Sequence, residues 1–376
     1  MHVSSGHETA VMEPWLDTEP LRMREGVEIT TGAGGRTMLI TPAGRYLNIS
    51  PSGLAILRHL GDGMTGGELM TLLAERYPKQ NEQIRAILPD FLADLRRASV
   101  LNLEPLPATG TEKAVKYGRL DLVKRFPLVR DPNRYAGPVA DLLRRLPAWL
   151  PATLLLAVPL LAVPLAVLAL GSSAGTGEPA AWMVIAAVAV MLAEIAVHES
   201  CHAVAMAYNR VTPKDAGVGL MLYLFPMAYV DRTDSYRHQG RFGRVLISLV
   251  GPLCDLAFAG AWAAVALNTS GDAALFFRIL LGFQLLSVIA NINPLFPSDG
   301  YHALEAALGS INMRGRALTY VLHRVTRKPL PLYLRSVPGR VRAGYVCYFA
   351  LSLLYTLLAA GLIVFNLFSL AVRLMP

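Results

Sequence analysis

Hydrophobic and polar positions along the chain change rhythm at about residue 147. Before it, the pattern is that of a small water-facing fold. Val27 to Thr30 and Arg36 to Ile49 alternate as short strands around Gly32-Ala33-Gly34-Gly35. Beyond Ser50-Pro51, helical periodicity covers Gly53 to Leu60, Gly66 to Tyr77 and Glu82 to Ser99; the last gathers Ile84, Ile87, Leu88, Phe91, Leu92 and Leu95 on one side. After residue 147 the polar positions nearly vanish. Residues 147 to 170 are apolar for 24 positions, about 36 Å of helix against a hydrocarbon core of about 30 Å, with Pro159 and Pro164 expected to kink it. Further spans are predicted at 180 to 208, 243 to 268, 273 to 295 and 343 to 367. Residues Gly217 to Val230 are apolar but short and broken by Gly and Pro, which suits a re-entrant or edge hairpin better than a span, with a flap on the bilayer surface as the alternative.

Expected, then, is an all-α membrane part of about five helices with a short hairpin, preceded by a small α+β winged-helix-like domain. The divisions are a flexible tail over 1 to 20, a domain over 21 to 104, a basic juxtamembrane connector over 105 to 146 and a membrane domain over 147 to 376. Composition agrees: 53% hydrophobic and 16% charged residues, with mean hydropathy +0.41, is too apolar for an ordinary soluble enzyme at about 25% charged. Residues 1 to 20 carry Glu8, Glu13, Asp17 and Glu19 and no apolar run, so no cleavable signal peptide is expected there. Cys201, Cys254 and Cys347 are too few and too scattered for a disulfide framework.

The net charge of +8 falls into place once the spans are drawn. Arg144 and Arg145 precede the first span, five Lys or Arg lie between the second and third with Arg244 at the very start of the third, and eight Arg or Lys lie between the fourth and fifth. By the positive-inside rule the amino terminus is cytoplasmic, and a bacterial plasma membrane is the expected location. Strands followed by three helices also describe a winged-helix DNA binder. Residues 21 to 104, however, hold ten basic against nine acidic side chains, and the third helix carries Glu82, Asp90 and Asp94, so no nucleic-acid partner is expected and a peptide is favoured.

The candidate chemistry sits in the second span, as His198-Glu199-Ser200-Cys201-His202. Residues four apart share a helix face, so His198 and His202 can present two imidazoles to one metal with Glu199 beside them as general base. Ionisable residues inside a membrane are costly and call for a partner. Catalytic zinc takes three protein ligands, and Asp299, 97 residues after His202 and just beyond the fourth span, is the third candidate, with His302 its chemical rival. Glu194 shares the face of His198 one turn earlier, either as a support for that ring or as a structural carboxylate.

Two resemblances follow. H-E-x-x-H paired with Asn291-Ile292-Asn293-Pro294-Leu295-Phe296-Pro297-Ser298-Asp299-Gly300 resembles the site-2 protease family of intramembrane zinc metalloproteases, over roughly residues 180 to 310, with Gly251-Pro252 also shared and Asp255 standing where related sequences often have Asn. The resemblance implies that His198, His202 and Asp299 hold Zn2+, that Glu199 moves the proton, and that Asn291 orients the substrate or oxyanion; capping the helix end is the plainer role for Asn291. The strand pair leading through Leu47-Asn48-Ile49-Ser50 to Leu60-Gly61-Asp62-Gly63-Met64-Thr65 resembles the PqqD-like leader-recognition domains of ribosomal peptide maturation. It implies a peptide added as a strand. The expected function is therefore a zinc-dependent intramembrane endopeptidase acting on a ribosomally made precursor peptide. Regulated proteolysis of a membrane-anchored signalling protein, and a non-catalytic immunity or export protein that only binds peptide, stay open on sequence.

Overall fold

The computed structural model describes residues 15–32, 36–42, 46–106, 123–147, 149–172, 177–221, 225–335 and 337–374. Its contacts divide the chain into Met1–Lys116 and Tyr117–Pro376.

In the first unit a short helix, α1 (Trp15–Thr18), precedes an antiparallel sheet of β1 (Glu28–Gly32), β2 (Arg36–Ile40) and β3 (Tyr46–Asn48), in the order β1-β2-β3. The single long strand expected over Arg36 to Ile49 is thus two described strands, β2 and β3, paired antiparallel with Leu39 opposite Leu47. Three helices follow: α2 (Pro51–His59), α3 (Gly66–Arg76) and α4 (Asn81–Arg97). Their starts are chemically defined. The Ser50 hydroxyl accepts from the Gly53 N–H at 3.0 Å with Pro51 at the first helical position, while Thr65 and Glu68 form a reciprocal capping box. Leu57, Leu69, Leu92 and Leu101 are fully enclosed between these elements, each contributing about 1.5–3 kcal/mol of apolar burial. Trp15 and Leu16 join the same core. Structure therefore begins inside the tail expected over 1 to 20, because two large apolar side chains at 15 and 16 have a core to enter; residues 1 to 14 lie outside the described residues.

The second unit opens where a connector was expected. β4 (Val123–Val129) and α5 (Asn133–Arg145) lead into two long helices, α6 (Trp149–Gly171) and α7 (Ala181–Tyr208). Next come β5 (Ala216–Met221), β6 (Phe225–Val230), α8 (Arg241–Leu267) and α9 (Gly271–Ile292). The chain closes with α10 (Asp299–Ala307), α11 (Met313–Val325), α12 (Leu332–Arg335) and α13 (Gly339–Leu374). Five helices, α6, α7, α8, α9 and α13, are long and apolar enough to cross a membrane, and their outward side chains, such as Leu160 and Ile185, are large and apolar. Between helices the packing depends on small residues. Ala166 and Ala169 of α6 meet Ala259 and Ala263 of α8, and a methyl added at Gly260 would stand 2.8 Å from the Ala162 Cβ. In lipid, where apolar burial does not drive helices together, such close backbone approach is the main source of association.

The hairpin predicted at Gly217 to Val230 is present as β5 and β6, and it gains a third strand from the connector, giving the order β4-β5-β6. Pro127 fits because β4 is an edge strand whose register shifts between Pro127 and Val129. Opposite it, Gly217 has no room for a side chain: a Cβ there would lie 2.1 Å from the Phe126 carbonyl oxygen. α5 lays Ala136 and Ala140 against Ala203 and Ala207 of α7. Arg144 of α5 then donates to the Ala207 and Tyr208 carbonyls at 2.7 and 3.1 Å, capping the end of α7.

Candidate metal centre

α7 carries His198 and His202 on one face, and α10 brings Asp299 against them. The helical period supplies the first pair. Asp299 arrives through a tight turn after α9, in which the Ser298 hydroxyl donates to the Asn293 carbonyl at 2.5 Å and Gly300 lies so close to Ile292 that a Cβ would sit 2.0 Å from its carbonyl oxygen. α13 holds the turn from outside, since Tyr348 and Ser352 donate to the Pro294 and Leu295 carbonyls at 3.1 and 2.8 Å.

The three side chains converge on one point. His198 Nε2 and His202 Nε2 are 3.0 and 3.1 Å from Asp299 Oδ2 and 3.2 Å from each other. Tetrahedral ligands at zinc bond lengths of 2.0–2.1 Å stand about 3.3 Å apart. The outer partners of the two rings fix which nitrogen of each ring donates. His202 Nδ1 is 2.6 Å from the Ile247 carbonyl, which can only accept, and His198 Nδ1 is 2.9 Å from the Asp255 carboxylate. Both Nδ1 atoms therefore donate; with the rings neutral, both Nε2 atoms present lone pairs and Asp299 Oδ2 adds a third acceptor. Arg232 Nη1 brings one positive charge within 3.2 Å of His202 Nε2, and in the neutral-ring state a metal cation between the three acceptors would satisfy them. Space for it exists at Gly251 of α8, where an added Cβ would fall 2.4 Å from each Nε2. The residues fit a divalent metal.

Supports surround this trio. Asp255, 2% exposed, orients His198 and accepts from Ser287 at 2.8 Å and from Asn291 at 3.2 Å through its other oxygen. A carboxylate behind a ligating histidine fixes the tautomer and raises the basicity of the ring. Arg232, just after β6, donates to Asp299 Oδ1 at 2.6 Å and leaves Oδ2 for the shared point. Burial pushes the Asp299 carboxyl up, but the Arg232 guanidinium beside it outweighs this and holds the group well below the usual carboxylate range. Glu199, the next residue along α7 from His198, turns its carboxylate to β6, where Oε2 accepts from the Val230 N–H at 2.9 Å.

The remaining sequence candidates take other places. Asn291 donates its amide to Asp255 and Ser287 rather than standing beside Asp299. His302 is outside the trio, 3.8 Å from Glu305. Glu194 does not reach His198: its carboxylate accepts from Trp262 Nε1 of α8 at 2.7 Å and from the Gln284 amide of α9. It ties three membrane-length helices together. Sequence reasoning left the role of Asp255 undecided and missed Arg232. Asp255 stands four residues after Gly251, the helical spacing that puts both on the face meeting α7; for Arg232 no local signal existed.

Comparison with known proteins reaches only the first unit. No curated protein and no solved structure matches the chain. The family model described as coenzyme PQQ synthesis protein D (PqqD) matches residues 35–101, a stretch holding β2, β3 and α2 to α4.

Proposed function

We propose that the protein is an intramembrane zinc endopeptidase that cuts a ribosomally made precursor peptide presented by its PqqD-like domain, in a bacterial plasma membrane with the amino terminus cytoplasmic. The observation that carries the reading is the convergence of two histidine lone pairs and one carboxylate oxygen beside Glu199. The site-2 protease resemblance of the two motifs supports it, as does the PqqD match for the peptide partner. Zinc at such a site acts as a Lewis acid and lowers the pKa of a water to about 7.

The chain's own residues do the rest. Glu199 takes the proton from the attacking water and passes it to the leaving nitrogen. Val230 N–H holds one oxygen of that carboxylate while the other stays available. Asp255 and the Ile247 carbonyl keep both imidazoles in the tautomer that presents Nε2. Among the described residues β6 pairs with β5 alone, so its other edge can receive an extended peptide as a fourth strand beside Glu199.

Glu199→Gln is the direct test. Zinc content stays at one per chain, while cleavage of a co-expressed leader-containing peptide falls by a factor of 10² or more, the order expected for loss of a general base. Full cleavage by that variant excludes Glu199 as the base, and a purified wild-type protein that retains no zinc excludes the reading.

A further inference from the structure

A cavity of about 290 Å³ opens where β6 ends. Its wall includes Val230, whose N–H holds Glu199, and Arg232, which holds Asp299, so it adjoins the residues assigned to the chemistry. Arg125 from β4 and Arg244 from α8 complete a set of three guanidinium groups. Both are braced by aromatic faces, Arg125 at 5.2 Å from the Tyr229 ring centre and Arg244 at 5.3 Å from that of Tyr236.

Two acids also line this space, and both are engaged. Asp231 accepts from the Thr233 amide at 2.9 Å and lies 3.8 Å from Arg125. Glu305 is 2% exposed and accepts from Tyr301, Tyr236 and the Met313 N–H at 3.0, 3.1 and 2.8 Å. Arg232 is committed to Asp299 at 2.6 Å and Arg244 is enclosed against Tyr236, so it is Arg125, the more open of the three, that offers forked donors to a planar anion. A single carboxylate matches them bidentately, whereas a dianionic phosphate would also face the two acids.

We propose that this cavity receives a carboxylate of the peptide being cut, and so selects where cleavage falls. This rests on the proteolytic reading above. A peptide laid along β6 passes the cavity at the Val230 end of the strand, so a group entering the cavity belongs to one fixed position close to the scissile bond. That carboxylate is either the side chain of Asp or Glu or the free carboxyl terminus. In the second case the enzyme trims short pieces from a chain end.

The test uses the zinc-loaded full chain in detergent and a random decapeptide library, half with free and half with amidated carboxyl termini, with products identified by mass spectrometry. Expected is about a tenfold preference for Asp or Glu at one fixed position from the cut, or for a free terminus at a fixed distance, as the loss of one charge-assisted hydrogen bond would give. The amidated half separates the two sources. Arg125→Gln removes the preference and Arg125→Glu turns it towards Lys and Arg, an inversion that a merely structural residue would not produce. Equal cleavage of acidic, neutral and amidated members, or a preference that survives Arg125→Glu, overturns the carboxylate site and leaves the proteolytic reading intact. No cleavage of any member by zinc-loaded protein overturns the proteolytic reading, and the carboxylate site with it.

Discussion

His198 donates from Nδ1 to Asp255 at 2.9 Å, and Asp255 is in turn held by Ser287 and Asn291 of α9. The ring that faces Asp299 is thus aimed by a carboxylate on α8. Asp255→Ala is expected to weaken zinc affinity about 10- to 100-fold, read by competition with a chelator. Asp255→Asn, which can still accept at one oxygen, should fall between that variant and the wild type. Unchanged affinity in both would show that packing alone orients His198.

Gly251→Ala places a methyl carbon where the two Nε2 lone pairs meet, 2.4 Å from each. The substitution should abolish zinc retention while the protein still elutes as a folded species in detergent, because alanine favours the helical state of α8 by about 1 kcal/mol over glycine. Metal analysis beside size-exclusion chromatography checks it. One zinc per chain in this variant would mean that the ion sits elsewhere.

Glu305 lies outside the long apolar helices and fastens α10 to the start of α11. Burial pushes its carboxyl up, yet His302, the Met313 N–H and the Tyr301 hydroxyl together hold it below the ordinary value. Because the folded pKa is the lower one, the stabilisation is present above the unfolded value of about 4.3 and is lost as pH falls through the folded value. Glu305→Gln should cost about 1–3 kcal/mol at pH 7, and the gap between the two proteins should narrow below about pH 4. Thermal unfolding in detergent across pH 3 to 8 reads this. A gap that widens on acidification would contradict it.

Glu194→Leu removes the shared acceptor of Trp262 and Gln284. Destabilisation of about 1–3 kcal/mol is expected from the donors left in a low-dielectric setting, with zinc content unchanged because Glu194 does not touch His198. Loss of zinc at full stability would instead tie Glu194 to the metal site.

How much of this could be read from residues alone depends on how local each signal is. The long helices could be read because an apolar stretch of 22 to 28 residues encodes its own length, and His198 and His202 because a turn of helix is a fixed ruler. Asp299 was readable only as a member of a second motif, since 97 residues separate it from His202. β4 escaped notice because Lys124, Arg125 and Pro127 mask its alternation, and its pairing is with β5, far along the chain. α5 was hidden by small residues, as Ala136 and Ala140 carry little hydrophobic signal yet pack tightly on α7. Arg278, within the fourth span, drew no attention either. It donates to the Ser172 and Leu170 carbonyls at 2.6 and 3.3 Å, where the last carbonyls of α6 need partners.

Gly251 also bears on how such chains can lose their chemistry over time. A single base change in a glycine codon can yield alanine, and here that would put a side chain where the ion belongs while His198, Glu199, His202 and Asp299 all stay in place. On the proposed reading, a chain carrying that change would keep both motifs and the PqqD-like domain yet hold no metal. The residue at position 251 therefore bears, on that reading, on metal retention as directly as the histidines do.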